Sequence, residues 1–139
     1  MIIKSLSRKT NTAQLLTYLF AKEEKLSVQN EKPLVIKHNL RTSSLNGWIK
    51  EFDKNESYRL HKRVDNVKVY HTILSFSCDD KKHITEKTLQ DIAKHFIKLR
   101  GKDSLYIGTA HYDKDHVHLH IAMSGTKYQT GSYFLKESF

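Results

Sequence analysis

Residues 105–123 hold two runs that alternate with period two, LYIGTAH and VHLHIAM, separated by a polar break containing Asp113, Lys114 and Asp115. That period marks a strand with two unlike faces, and two such runs across a short polar break predict an antiparallel hairpin. On the second run Val117, Leu119, Ile121 and Met123 share one face, and His116, His118 and His120 share the other. The apolar face is expected to pack and the imidazole face to look outward. With Lys114 and Asp115 at the tip, Tyr112 opposes Val117, His111 opposes His118 and Thr109 opposes His120. Opposed residues stand on one face with Cβ atoms about 4.5–5.5 Å apart, so His111, His118 and His120 converge. A slip of one residue would turn His111 to the other face, so convergence depends on an even-numbered loop.

Four of the nine histidines fall within residues 111–120. Three imidazoles on a rigid sheet form an open set of divalent-metal ligands that leaves positions for a substrate oxygen or water, as a catalytic site requires. Imidazole suits Zn, Mn, Co or Ni better than Mg, so the donor type leaves the ion open. The competing reading is a solvated polar strand face. Asp113 and Asp115 either hold a histidine tautomer or are the residues a turn prefers; Asp113 is the functional candidate of the two. His116 stands outside the ligand set.

Elsewhere the pattern predicts a short strand at Ile2 to Leu6 and a helix capped by Thr10 or Asn11, with Leu15, Leu16, Leu19 and Phe20 on one side and Tyr18 on another. Beyond Pro33 and LVIKHNL, a second amphipathic segment runs from Leu45 to Phe52. Period two returns at Val67, with His71, Ile73 and Ser75 pointing one way and Tyr70, Leu74 and Phe76 the other. Thr85 starts a helix striped by Leu89, Ile92, Ala93, Phe96 and Ile97, and Gly101 stands at its C-terminal cap.

At 139 residues the chain is expected to be one domain, residues 1–139. Lysine and arginine outnumber acids 24 to 15, and the resulting +9 suits a polyanionic partner. The single cysteine, Cys78, excludes an intramolecular disulfide and a cysteine-based zinc knuckle, which fits a reducing cytoplasm. No apolar stretch is long enough to span a bilayer, so membrane insertion is not expected.

The segment HYDKDHVHLHIAMSG resembles the H-x-D and H-x-H motifs of the relaxase/mobilisation nucleases, members of the HUH (His-hydrophobic-His) endonucleases that process plasmids and integrative elements for conjugative transfer. The core is His118-Leu119-His120. Lesser similarity extends to VYHTILSFS and to MIIKSLSRK and TYLFAKEEK, so it covers most of the chain. The resemblance implies an α/β (α+β) two-layer fold, a mainly antiparallel sheet with helices on one face. It also implies a cation on His111, His118 and His120, with Mg or Mn the first expectation and Zn, Co or Ni the alternatives.

By position the implied nucleophile is Tyr18, which would attack single-stranded DNA at an origin of transfer and leave a 5′-phosphotyrosine and a free 3′-hydroxyl. Accessory mobilisation proteins and a coupling protein are the further partners implied. A nucleophile placed ahead of the histidines is the relaxase order; replication initiators and single-tyrosine transposases place it after. Where the family often has asparagine beyond the H-x-H strand this chain has Ser124, and relaxase domains usually continue further, so a C-terminally truncated form and a minimal form both stand as expectations. Lys62, Arg63, His71, Ser75, Lys81 and Lys82 are the candidate DNA contacts. Two rival functions share these residues: a metal-dependent phosphodiesterase that uses water, and a non-catalytic nucleic-acid-binding module.

Overall fold

The computed structural model describes residues 1–21, 33–63, 66–77, 83–112 and 116–128. Its strands are β1 (Ile2–Arg8), β2 (Ile36–His38), β3 (Val69–Phe76), β4 (Tyr106–Tyr112) and β5 (Val117–Ser124). Its helices are α1 (Thr12–Phe20), α2 (Leu45–Ser57) and α3 (Glu86–Arg100). The strands form one antiparallel sheet in the order β1-β3-β5-β4-β2. The central position of β5 explains its composition, because both edges are paired and nearly every residue along it is buried.

The hairpin register is the expected one: Tyr112 opposes Val117, His111 opposes His118 and Thr109 opposes His120. On the other side of β5, Ser75 opposes His118 and Ile73 opposes His120, so β3 borders the histidine strand directly.

The α+β class and the antiparallel sheet are as expected, but the helices cover both faces of the sheet rather than one. Leu89, Ala93 and Ile97 of α3 pack on Tyr106, Ala110, Val117, Leu119, Ile121 and Met123. Leu15, Leu16 and Leu19 of α1, with Trp48 and Phe52 of α2, pack on Val69, Leu105, Ile107 and Ala122 of the opposite face. The cause lies at the start of β4: Ile107 and Leu105 just before the strand make the histidine side apolar at one end of the sheet, and that end needs cover. Each of the three α1 leucines is fully buried, worth roughly 1.5–3 kcal/mol apiece. Tyr18 projects from the other side of the same helix and is 54% exposed.

The helix boundaries follow local chemistry. Thr85 caps α3 by accepting from Thr88 N–H, Ser44 caps α2 by accepting from Gly47 N–H, and Gly101 ends α3 at a φ of 134° that side-chain-bearing residues rarely adopt. Asn11 sits at the α1 N-cap in left-handed conformation, φ 61°, without a side-chain cap bond. α2 runs a full turn beyond Phe52 because its next inward residue is polar. Asn55 is buried and donates from Nδ2 to Ser124 Oγ (2.9 Å) and to the Thr126 carbonyl (2.8 Å). Those two bonds fasten the end of α2 to the end of β5.

Candidate active site

The C-terminal end of α1 reaches the histidine side of the hairpin. Helix-end carbonyls lack intrahelical partners. Here the Leu19 carbonyl accepts from His111 Nε2–H at 2.7 Å. A carbonyl can only accept, so the proton of a neutral His111 is on Nε2 and its lone pair on Nδ1. This contact also means that the imidazole face does not look outward as expected. His120 is 4% exposed and Thr109 fully buried, while His111 and His118 are half-buried.

The imidazoles gather closely. The ring centroids of His111 and His120 are 4.1 Å apart, those of His118 and His120 6.3 Å, and those of His71 and His120 5.1 Å. His71 Nε2 and His120 Nδ1 share a hydrogen bond of 2.9 Å, and Ser75 Oγ and His118 Nδ1 share one of 2.8 Å. His118 and His120 are thus each held by a neighbour on Nδ1, the arrangement that orients a ligating imidazole to offer Nε2. Tyr18 meets the same group edge-on, 5.9 Å from His111 and 6.3 Å from His120 between ring centroids. His116, exposed, has its ring 5.7 Å from that of His118.

Burial keeps the inner rings neutral. His120 is pushed down to about 3 by burial and then by the neighbouring charges of His111, His71 and His118. His71 is pushed down to about 4 by burial and then by Arg8 and His111. Neutral imidazole is the form that binds metal.

Donor type and charge therefore fit a divalent cation on His111, His118 and His120, and the α1 carbonyl end beside them carries the partial negative charge that favours one. As the side chains stand, no three His, Cys, Asp or Glu residues among those described are disposed to hold an ion. The Leu19 carbonyl occupies one nitrogen of His111, and His71 Nδ1 is buried with no hydrogen-bond partner. That orphaned nitrogen costs about 1–3 kcal/mol where it lies, a cost the surrounding packing offsets.

Of the remaining candidates, Lys62 and Arg63 are exposed in the connection that enters β3 at Val69, opposite Ser124 and six residues along β5 from His118. They do not belong to the histidine cluster. Asp113, Lys81 and Lys82 lie outside the described residues. Arg8 and the Leu19 carbonyl join the site without a signal in the sequence. Arg8 reaches the cluster electrostatically because β1 pairs with β3, and nothing local in SLSRK announces that pairing.

The family model described as relaxase, MobA/VirD2-like, nuclease domain, matches residues 18–138, a span that begins at Tyr18 and contains all the clustered histidines. No curated protein and no solved structure matches the chain. Among the described residues no helix is long and apolar enough to cross a membrane.

Proposed function

Because the chain belongs to the relaxase family of MobA/VirD2-like nuclease domains, we propose that it nicks and rejoins single-stranded DNA at an origin of transfer with Tyr18 as nucleophile. The observation that carries this reading is the meeting of an exposed phenol, on the helix that precedes the histidines in the chain, with the rings of His111 and His120.

The reaction is a transesterification. Tyr18 Oη bonds to phosphorus, the bond from phosphorus to the 3′ oxygen breaks, the phenol gives up its proton and the leaving 3′ oxygen takes one up. No water is consumed, and the phosphodiester is conserved as a 5′-phosphotyrosine for later rejoining. A phenol near pKa 10 is only about one part in a thousand ionised at neutral pH, so attack needs help. A divalent cation held by His111, His118 and His120, Mg or Mn first and Zn, Co or Ni as alternatives, would supply Lewis-acid polarisation of the scissile phosphate.

The protein's own groups orient these parts. Ser75 and His71 fix the His118 and His120 rings, and the buried leucines of α1 hold Tyr18 over them. Asp113 is the carboxylate we assign to histidine positioning. In this reading the enzyme works in the cytoplasm with accessory mobilisation proteins and a coupling protein, which deliver and export the nicked strand.

The test is a denaturing gel of the protein with a random-sequence pool of 5′- and 3′-labelled single strands and Mn or Mg. A covalent adduct with the 3′-labelled fragment, joined through its 5′ phosphate, is expected, at least 100-fold reduced in Tyr18→Phe. Because Tyr18 is exposed, that variant should keep its stability within about 0.5 kcal/mol. Cutting without an adduct would instead support the water-using phosphodiesterase, and binding with neither outcome the non-catalytic module.

A further inference from the structure

His71 Nδ1 is the one buried side-chain nitrogen or oxygen among the described residues that has no hydrogen-bond partner, and His71 is 3% exposed. An orphan of this kind in the interior calls for an explanation. The other ring nitrogen, Nε2, shares its hydrogen bond of 2.9 Å with Nδ1 of His120, itself buried.

A neutral imidazole has one N–H and one lone pair, so a bond between two such rings has two proton orders. In the first, His71 Nε2–H donates to His120 Nδ1. His120 then carries its own proton on Nε2, and His71 Nδ1 is a buried lone pair. In the second, His120 Nδ1–H donates to His71 Nε2. His120 Nε2 then offers a lone pair, and His71 Nδ1 becomes a buried N–H with no acceptor. A buried N–H without an acceptor is rarer in proteins than a buried acceptor without a donor. The first order is therefore the resting one, and it leaves His120 with no lone pair on the nitrogen that a cation would use. His118 is not constrained in this way. Its neighbour Ser75 is a hydroxyl, which donates or accepts as the ring requires.

From this pairing we infer that His71 is a positioning residue that couples cation capture at His120 to a change of proton order in both rings. This rests on the cation reading of His111, His118 and His120, and deepens it. For His120 to present Nε2, the bridging proton passes from His71 Nε2 to His120 Nδ1, the proton on His120 Nε2 goes to water, and water supplies one to His71 Nδ1. Each ring keeps one proton, so no charge changes. The new N–H of His71 finds no acceptor where it lies. His71 therefore weakens the hold on the cation although it stands outside the ligand set, and loss of the cation restores the first order.

The experiment is long-range proton–nitrogen NMR of the full chain with labelled histidines at about pH 8, where imidazole is neutral. Spectra are taken in chelator and then with zinc, an ion that imidazole binds well. An N–H nitrogen and a lone-pair nitrogen differ in shift, and the spectra of His71→Gln and His120→Gln assign the two rings. Without metal, both rings are expected to carry the proton on Nε2. With zinc, His120 Nε2 should become metal-bound and His71 should move its proton to Nδ1. A residue that only buttressed His120 would keep its own proton order. In His111→Ala with His118→Ala, at the same zinc concentration, His71 should stay as in the metal-free chain.

A metal-free chain with the His120 proton on Nδ1 would overturn the inference. So would a His71 ring that keeps its proton on Nε2 after His118 has bound zinc, or one that changes order in the double variant. If zinc moves none of the His111, His118 and His120 signals, the cation reading fails and the coupling with it. Nicking is judged separately by the Tyr18-dependent adduct, so a wrong proton order leaves both the cation and the adduct standing.

Discussion

Acidification should weaken the metal-free protein well before its carboxylates titrate, and the histidine cluster sets the amount. In the folded chain His71 is held down to about 4 and His120 to about 3, first by burial. In the unfolded chain each takes up its proton near 6.5. As pH falls, the unfolded state gains protons that the folded state refuses, so stability falls with pH. The contribution is fully present above about pH 7 and declines through 6.5, by about 1.4 kcal/mol per pH unit per ring, until the folded values are reached.

At pH 5 each ring has lost about 2 kcal/mol relative to pH 8, and the pair about 4 kcal/mol. Because pH 5 lies above both folded values, this figure depends on the rings staying neutral and hardly at all on how far below 5 they titrate. Against a total of 5–15 kcal/mol for a domain, the loss is large. Urea unfolding at pH 8, 7, 6 and 5 in excess chelator measures it. His120→Gln lowers stability at pH 8 by breaking the bond to His71 and should halve the pH dependence. A wild-type loss below about 1 kcal/mol, or a slope that His120→Gln leaves unchanged, would show that both rings protonate within the fold and that the cluster is open to water.

Two substitutions test the packing that presents the site. Asn55→Ala removes both bonds from α2 to the end of β5, strands the Thr126 carbonyl and leaves Ser124 Oγ the longer bond from Thr126 N–H, so urea unfolding should show a loss of about 2–3 kcal/mol with little effect on DNA cutting. Leu16→Ala empties a fully buried position beneath α1 and should cost about 2–5 kcal/mol, with cutting reduced even at temperatures where the variant is folded, because the same helix carries Tyr18.

The hairpin was the most legible part of the chain because its information is local. Period two, a short polar break and the parity of the loop fix which side chains share a face, and strand pairing between neighbours in sequence needs no distant partner. The same parity argument puts Ser75 and His71 on one face of their strand, but that this is the histidine side, where they bond His118 and His120, depends on the pairing of β3 with β5. Arg8 was not legible, because its place depends on β1 pairing with a strand more than sixty residues away. The far end of α2 was not legible for a different reason. A helical period is read from apolar residues, and the inward position after Phe52 is Asn55, buried through hydrogen bonds rather than through hydrophobicity.

The placement of α1 shows where amphipathicity stops being informative. A stripe of Leu15, Leu16 and Leu19 says that one side of the helix must be buried, but not against which surface. Once the hairpin register is known, the choice narrows: α3 covers the face of Leu119 and Ile121, leaving Leu105, Ile107 and Ala122 at one end of the other face in need of cover. Leucines laid on that end carry the C-terminus of α1 along the sheet to His111, where the Leu19 carbonyl finds its donor. Tyr18 precedes Leu19 by one residue, about 100° round the helix, so a helix buried through Leu19 turns Tyr18 out of the core. The apolar residues that bury α1 therefore also set its phenol beside the imidazoles, and core packing brings together the parts that hydrogen bonds then orient.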